Sequence, residues 1–462
     1  MLTRHVLQLL TTIFCAFAPT LSAQDSPGKY LKRELPEQWT YTPVAEQILP
    51  ADDAWWRDFG DSTLDSLISM GETNNYNLDI AARRVAQAAQ AVRAARASWF
   101  PTVGATAGWQ RAKEAGTNPA GGYSIGLQAS WEIDVFGKTY SRVRQQGYAL
   151  QASRAQYTAA MISLCAQIAT TYFDLRTAQA QQRVAQQHIA SQDTVVKIAE
   201  ARHEAGLVSG LDVAQAKTVL YSTQSSLPLL DTQIRADINA LATLCGVYAA
   251  DIEPMLRERT GMQPDYLRIV DAGVPAELLR RRPDVVAAEA GVAQAAAALG
   301  VAKKDYLPTL SITGAIGTSA AKPKGLFKDG SMTWSVAPSL SWTIFDGLAR
   351  EASVATAREA MQSEIDSYNA TVQNAVQEVE NAIITYSNDL RQIEILDKVV
   401  EQSHVALSKS LAQYKQGLSP LINVVNAQMN YLNYSNSLLS ARGDALSSLA
   451  TLYRALGGGT AR

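Results

Sequence analysis

The stretch YSIGLQASWEIDVFG, residues 123–137, alternates between two chemistries for more than ten residues. Tyr123, Ile125, Leu127, Ala129, Trp131 and Ile133 fall on one side of an extended chain, and Ser124, Gly126, Gln128, Ser130, Glu132 and Asp134 on the other. A period of two marks a strand with one apolar and one wet face. Three further segments share it. Val103, Ala105, Ala107 and Trp109 oppose Thr102, Thr106 and Gln110, while Leu310, Ile312 and Ile316 oppose Ser311, Thr313 and Ser319. In the last, Trp334, Val336, Pro338, Leu340, Trp342 and Ile344 oppose Thr333, Ser335, Ser339, Ser341 and Thr343. The alternation predicts strands over 101–111, 123–135, 309–319 and 332–345.

Aromatic residues stand near both ends of the apolar faces: Tyr123 with Trp131, and Trp334 with Trp342. Eight residues at about 3.3 Å each, tilted by about 40°, separate them by roughly 20 Å, close to the ~25 Å lipid-facing band of an outer-membrane barrel. A soluble sandwich is the alternative, but the opposite faces are small and polar and suit a water-filled lumen. Four strands cannot close a membrane barrel, whose smallest form has about eight, and lipid forbids open edges. Several chains must therefore pool their hairpins.

Most of the remaining chain reads as helix, and it is duplicated. VAQAAQ at Val85 recurs as VAQAAA at Val292, and ASWFPT recurs as KDYLPT, setting Pro101 against Pro308. Trp131 matches Trp342, Gly206 matches Gly417 and Gly246 matches Gly457, each at an offset of 211. Such a duplication organises a fold. Each half reads helix, hairpin, very long helix, turn, helix: repeat 1 over 64–246 and repeat 2 over 276–458. No proline lies between Pro119 and Pro228 and glycine is rare after Gly137, so 139–205 can form one helix, with its twin over 348–416. At about 1.5 Å per residue each spans roughly 100 Å and needs lateral partners. Val372, Ala375, Val376, Val379, Ala382 and Ile383 supply such a seam. Glycine at 206 and 417 suits the left-handed position that ends a helix, and Pro420 the start of the next. The segments 24–63 and 247–275 lack clear period and read as packing around the middle of the long helices.

The N-terminus has the order of a secretory signal over residues 1–23: Arg4 and His5, the apolar run 6–18, then a small residue at Ala23. A lipid anchor on Cys15 is disfavoured by the bulky Phe14 before it. Cys165 and Cys245 remain. Antiparallel helices bring them to similar heights, but a bond needs Cα atoms within about 7 Å where helix axes usually stand 8 to 10 Å apart. The net charge of −2, with no basic run, argues against a nucleic-acid partner. No metal-ligand spacing, cofactor motif or catalytic motif appears; Gly137-Lys138-Thr139 lacks the glycine a phosphate loop requires at Glu132. Glu132 and Asp134 share one strand face but read as solvated charges, not as an acid pair. The chain is expected not to be an enzyme.

Taken together, AWWRDFGDSTLDSLISMGETNNYNLDIAARRV, LLRRRPDVVAAEAGVAQAAAALGVAKKDYLPTLSITGAIG, WEIDVFGK, WTIFDG and the two glycine turns resemble the TolC family of outer-membrane efflux proteins. The RRRPDV segment, Arg280 to Val285, is most similar to the branch serving resistance-nodulation-division (RND) pumps. In itself that segment reads as structural, arginines at the negative end of a helix with Asp284 opening the next. The resemblance implies a mainly α fold with a transmembrane β portion: a homotrimer forming a 12-stranded barrel in outer-membrane lipid, continued by a long α-helical barrel across the periplasm. It implies a passive exit duct of a tripartite efflux system, partnered by a periplasmic adaptor and an inner-membrane RND pump. The turns, Gly206, Leu207, Val208, Ser209, Gly417, Leu418, Ser419 and Pro420, would meet the adaptor. Trp109, Tyr123, Trp131, Trp334 and Trp342 would face lipid. A protein-secretion duct and a periplasmic coiled-coil structural protein are the alternatives.

The family's gate uses an aspartate after the first turn, a tyrosine and an arginine near the second, and two later aspartates. They match Asp212, Tyr414, Ser419, Asn423 and Asn426, so this chain departs at three positions. Without an arginine at Ser419, a latch on Asp212 needs another donor, such as Tyr414 or Lys415. Asp212 reads equally as an early-helix aspartate favoured by the helix dipole.

Overall fold

The computed structural model describes residues 29–40, 49–50, 54–113, 115–116, 118–257, 263–264, 270–271 and 275–458. The expected signal segment 1–23, Cys15 included, and parts of 24–63 and 247–275 lie outside the described residues.

Helices α1 (Ser62–Asn74) and α2 (Tyr76–Ala97) precede the first hairpin, and α3 (Lys138–Glu204), α4 (Gly210–Leu244) and α5 (Ala249–Arg257) follow it. Helix α6 (Pro283–Lys304) precedes the second hairpin, and α7 (Ala349–Lys415) and α8 (Leu421–Ala455) follow. Each long helix, α3 and α7, has 67 residues, and their ends lie one residue from the spans that proline and glycine spacing suggest. A helix of that length survives because it is packed along its sides. α2, α4, α6 and α8 all lie against α3, giving a row α2–α3–α6–α7 toward the hairpins and a row α4–α3–α8–α7 toward the turns.

The larger core sits where the two rows meet. Trp39, Trp55, Trp56 and Phe59 are buried against the middle of α3 and the end of α8. Trp55 stacks on Tyr453 with centroids 5.0 Å apart, and Phe59 lies 5.1 Å from Phe173. The Tyr172 hydroxyl donates to Asp61 at 2.7 Å, while buried Arg176 lies over the Tyr172 ring and donates to the Leu256 carbonyl at 2.9 Å. Arg282 forms a second knot. It does not serve its own short turn, Leu278–Arg281, as the sequence suggests; it donates to the Ala455 carbonyl at 2.7 Å, at the negative end of α8. It also bridges Asp284 at 2.7 Å and Glu378 at 2.8 Å. Cys165 and Cys245 are free and buried, and burial pushes their thiols up to about 12 and about 11. They are therefore inert under ordinary conditions.

The sheet runs β1 (Thr102–Ala112), β2 (Ala120–Ile133), β3 (Thr309–Ala320) and β4 (Met332–Ser341), antiparallel throughout and in chain order. Its register stacks the apolar sets: Ala129 pairs with Val103, Leu127 with Ile316, Ile316 with Trp334 and Leu310 with Leu340. Paired residues share a face, so one side is apolar apart from Thr318 and, at the hairpin end, Arg111, and the other holds Ser, Thr, Gly and Gln. Both outer strands, β1 and β4, keep a free edge. The fourth strand is shorter than the alternation suggests and stops at Ser341, leaving Trp342 and Ile344 beyond it. Its neighbour among the described residues, β3, starts after Pro308, which has no N–H to donate.

Candidate functional site

At the turn end, both long helices stop in the same way. Gly206 and Gly417 have φ of 72° and 76°, where a side chain is disfavoured. The next amide reaches back to close the turn: Leu207 to the Arg202 carbonyl at 2.8 Å, and Leu418 to the Gln413 carbonyl at 2.9 Å. This folding pushes leucines outward, Leu207 at 67% exposed and Leu418 at 74%, beside half-buried Val208.

The chemistry of the two turns differs. Asp212 accepts a hydrogen bond from the Ser209 amide at 3.2 Å, so the structure gives it the helix-capping role. After the second turn, Asn423 donates to the Ser419 hydroxyl at 3.0 Å, and Pro420 takes the cap position of α8. Asn423 and Asn426 line a groove of about 770 Å³ between α7 and α8 with Gln402, Ser403, Gln413 and Asn430. Among the described residues, no carboxylate lines it.

Tyr414 is buried, and its hydroxyl lacks a partner. Burial raises its pKa; nearby Arg202 opposes that rise and Asp212 adds to it. The donor sought near Ser419 is absent there, and Lys415 is exposed. Arg202, in the last turn of α3, crosses instead to the other repeat. Its guanidinium lies 4.8 Å from the Tyr414 ring centroid and donates to the Tyr414 carbonyl. Sequence reading missed it; the signal that could have found it is a cation in the last helical turn before Gly206.

A second feature was not read from the sequence. Asp237, Asp174, Asp444 and Asp389 come from α4, α3, α8 and α7, and neighbouring members feel one another's charge. None makes an ion pair among the described residues; Asp237 accepts from Gln233 at 2.8 Å, and Asp389 from Ser448 at 2.7 Å. Buried Asp237 is pushed up to about 6 by burial, with Asp174 adding to the rise. Asp174 and Asp444 are exposed on the flanks of α3 and α8 away from the aromatic core. Asp174 sits two residues from Tyr172, and Asp444 nine from Tyr453, which turns each to the far side of its helix.

At the hairpin end, Trp109, Trp131, Trp334 and Trp342 are exposed and Tyr123 is half-buried, its ring 6.4 Å from Trp109. The indoles of Trp131 and Trp342 donate to the carbonyls of Trp99 and Tyr306 at 3.0 and 2.9 Å, the same contact in each repeat. Asp134 is not a solvated charge: it accepts from the Thr139 and Tyr140 amides at 3.1 and 2.9 Å and caps α3. Among the described residues, no group of three His, Cys, Asp or Glu is placed to hold a metal.

The sequence profile described as "Outer membrane efflux protein" matches residues 67–247 and 274–458. Nodulation protein T of Rhizobium leguminosarum bv. viciae is 30% identical over 429 residues, covering 92% of this chain and 87% of that protein. The toluene efflux pump outer membrane protein TtgI of Pseudomonas putida is 30% identical over 408 residues, covering 87% and 86%. The open state of the Neisseria gonorrhoeae MtrE outer membrane channel superposes with a TM-score of 0.83 at 28% identity, covering 92% of this chain and 96% of that one. With its duplicated long helices and a sheet apolar on one face, this chain belongs to the outer membrane efflux protein family.

Proposed function

We propose that three copies of the chain join their sheets edge to edge into one 12-stranded barrel in the outer membrane. It acts as the passive exit duct of a tripartite efflux system. The carrying observation is the four-stranded sheet, apolar along the length of one face and open at both β1 and β4. A free edge in lipid leaves amides and carbonyls unpaired at several kcal/mol each, so the sheet must close with copies of itself. The polar faces of the strands then line the lumen.

The exposed leucines at 207 and 418 suit an apolar partner surface, and a periplasmic adaptor fits them, with an RND pump behind it supplying energy. Asp212, Tyr414, Ser419, Asn423 and Asn426 stand at the mouth, where Arg202 clasps the two turns of one chain in place of the family's arginine. Heat-modifiable trimers in outer-membrane fractions, with export lost when β4 is deleted, are the expected result. A monomeric soluble periplasmic protein would overturn the proposal.

A further inference from the structure

We propose that the hairpin end of the sheet carries a docking collar for a phosphorylated glycolipid head group, formed by Arg111, Lys113, Lys322, Lys324 and Lys328. The proposal rests on the membrane-barrel reading, with the hairpins pointing away from the helices and out of the cell. The period of two decides which side Arg111 takes. On β1 the apolar column Val103, Ala105, Ala107, Trp109 continues as Arg111, with Lys113 just past the strand end; on β3 the column Leu310, Ile312, Gly314, Ile316, Thr318 ends at Ala320, and Lys322 follows two residues on in the hairpin loop.

The structure places the join directly. Arg111 pairs across the strands with Gly121, and a Cβ there would meet Trp109 Nε1 at 3.6 Å and Arg111 Cγ at 3.9 Å. The indole and the guanidinium stem therefore flank a bare glycine on one face. Going outward, the layers are aliphatic, aromatic, then cationic, the order of hydrocarbon, interface and head group in a lipid leaflet.

The second hairpin is built to display its lysines. A tight turn at Pro323–Gly325 leads to buried Leu326, and the Ser331 hydroxyl donates to the Leu326 and Lys328 carbonyls at 2.8 Å each. Lys322, Lys324 and Lys328 point out, with Phe327 at 84% exposed between the last two. Residues 110–119 and 321–331 hold five Lys and Arg against two Asp and Glu, although the whole chain is net −2. None of the five makes an ion pair among the described residues, whereas at the helix end Lys138 pairs with Asp305 and Arg350 with Asp346. An anion dissolved in water would need no aromatic row beneath it. A lipid phosphate is held at a fixed height above hydrocarbon, and arginine and lysine suit it.

The test uses the full-length protein in neutral detergent, mixed with bisphosphorylated lipid A or its dephosphorylated form, with bound lipid counted by native mass spectrometry. Oligomeric state and channel conductance are measured on the same sample. Wild type should retain bisphosphorylated lipid about tenfold better than the dephosphorylated form, and a variant with all five cations changed to Gln should lose that preference. Equal retention by wild type and variant would overturn the collar. So would displacement of the lipid by excess inorganic phosphate, or a variant that changes only ion selectivity. Absence of a conducting trimer in wild type would instead overturn the barrel reading itself.

Discussion

The middle of α3 and its turn end are made of different material, although one unbroken helix joins them. Around Tyr172 the helix meets stacked aromatics and two buried arginines, each with several partners. Near the turns the core shrinks to small residues such as Val195, Ala199, Ala216 and Val424. There Gln192 is buried with both amide atoms unpartnered, and Gln428 with its nitrogen unpartnered. His188 and His404 sandwich Tyr431 at 5.0 and 5.2 Å in place of an aliphatic layer. Each such buried amide without a partner costs about 1 to 3 kcal/mol, and the small core near the turns offsets that less than the aromatic core does at the middle. On the duct proposed above, the helices are held more firmly at the middle than near the turns.

The largest expected effect is at the middle. Arg282→Ala removes the donor to the Ala455 carbonyl and the bridges to Asp284 and Glu378, leaving Glu378 with Arg454 alone, and should cost about 1.5 to 3 kcal/mol in stability, read as lost folded yield and a lower melting temperature. A wild-type melting curve would contradict the fixed middle. At the mouth, Arg202→Ala should leave the melt almost unchanged and raise resting conductance several-fold. Tyr414→Phe should do little, because its hydroxyl has no partner. If Tyr414→Phe opened the channel as far as Arg202→Ala, the hydroxyl rather than the guanidinium clasp would be the latch.

Selectivity sharpens the same contrast. Asp212 is partly satisfied as a cap, whereas Asp174 and Asp444 make no ion pair among the described residues. Reversal potentials should therefore shift more in Asp174→Asn with Asp444→Asn than in Asp212→Asn; the opposite order would return the dominant charge to the mouth. The smallest effect is on pH dependence. The Asp237 carboxyl has its pKa raised from 3.8 to about 6, so the folded chain holds a proton there that the unfolded chain has already released. Stability should fall as pH rises through that window, and Asp237→Asn should flatten the fall and melt higher at neutral pH. An unchanged pH profile would count against the buried carboxylate.

Much of this architecture was legible because it is written in periods. Alternation over 123–137 fixes the sheet faces, and the offset of 211 fixes the paired long helices. What escaped reading was set by single side chains meeting partners far away in the sequence. Arg202 meets Tyr414 from 212 positions away, Arg282 meets Ala455 from 173, and the four aspartates arise on four helices with no shared spacing. The end of β4 escaped for another reason: its side chains alternate past Ser341, but its neighbour's backbone has run out.

The most direct test of the pooled barrel uses the duplication to place a bond between chains. Within one chain the joint of β2 and β3 pairs Gln128 with Ala315. Moving Gln128 forward by 211 and Ala315 back by 207 gives Ser339 on β4 and Gly108 on β1. Facing strand residues lie about 4.5 to 5.5 Å apart at Cα, within disulfide range, and the buried native thiols stay out of the reaction. Oxidised membranes carrying Ser339→Cys with Gly108→Cys should give a covalent ladder that ends at three chains and closes there. Monomer alone, or a ladder running past three, would contradict a closed three-chain barrel.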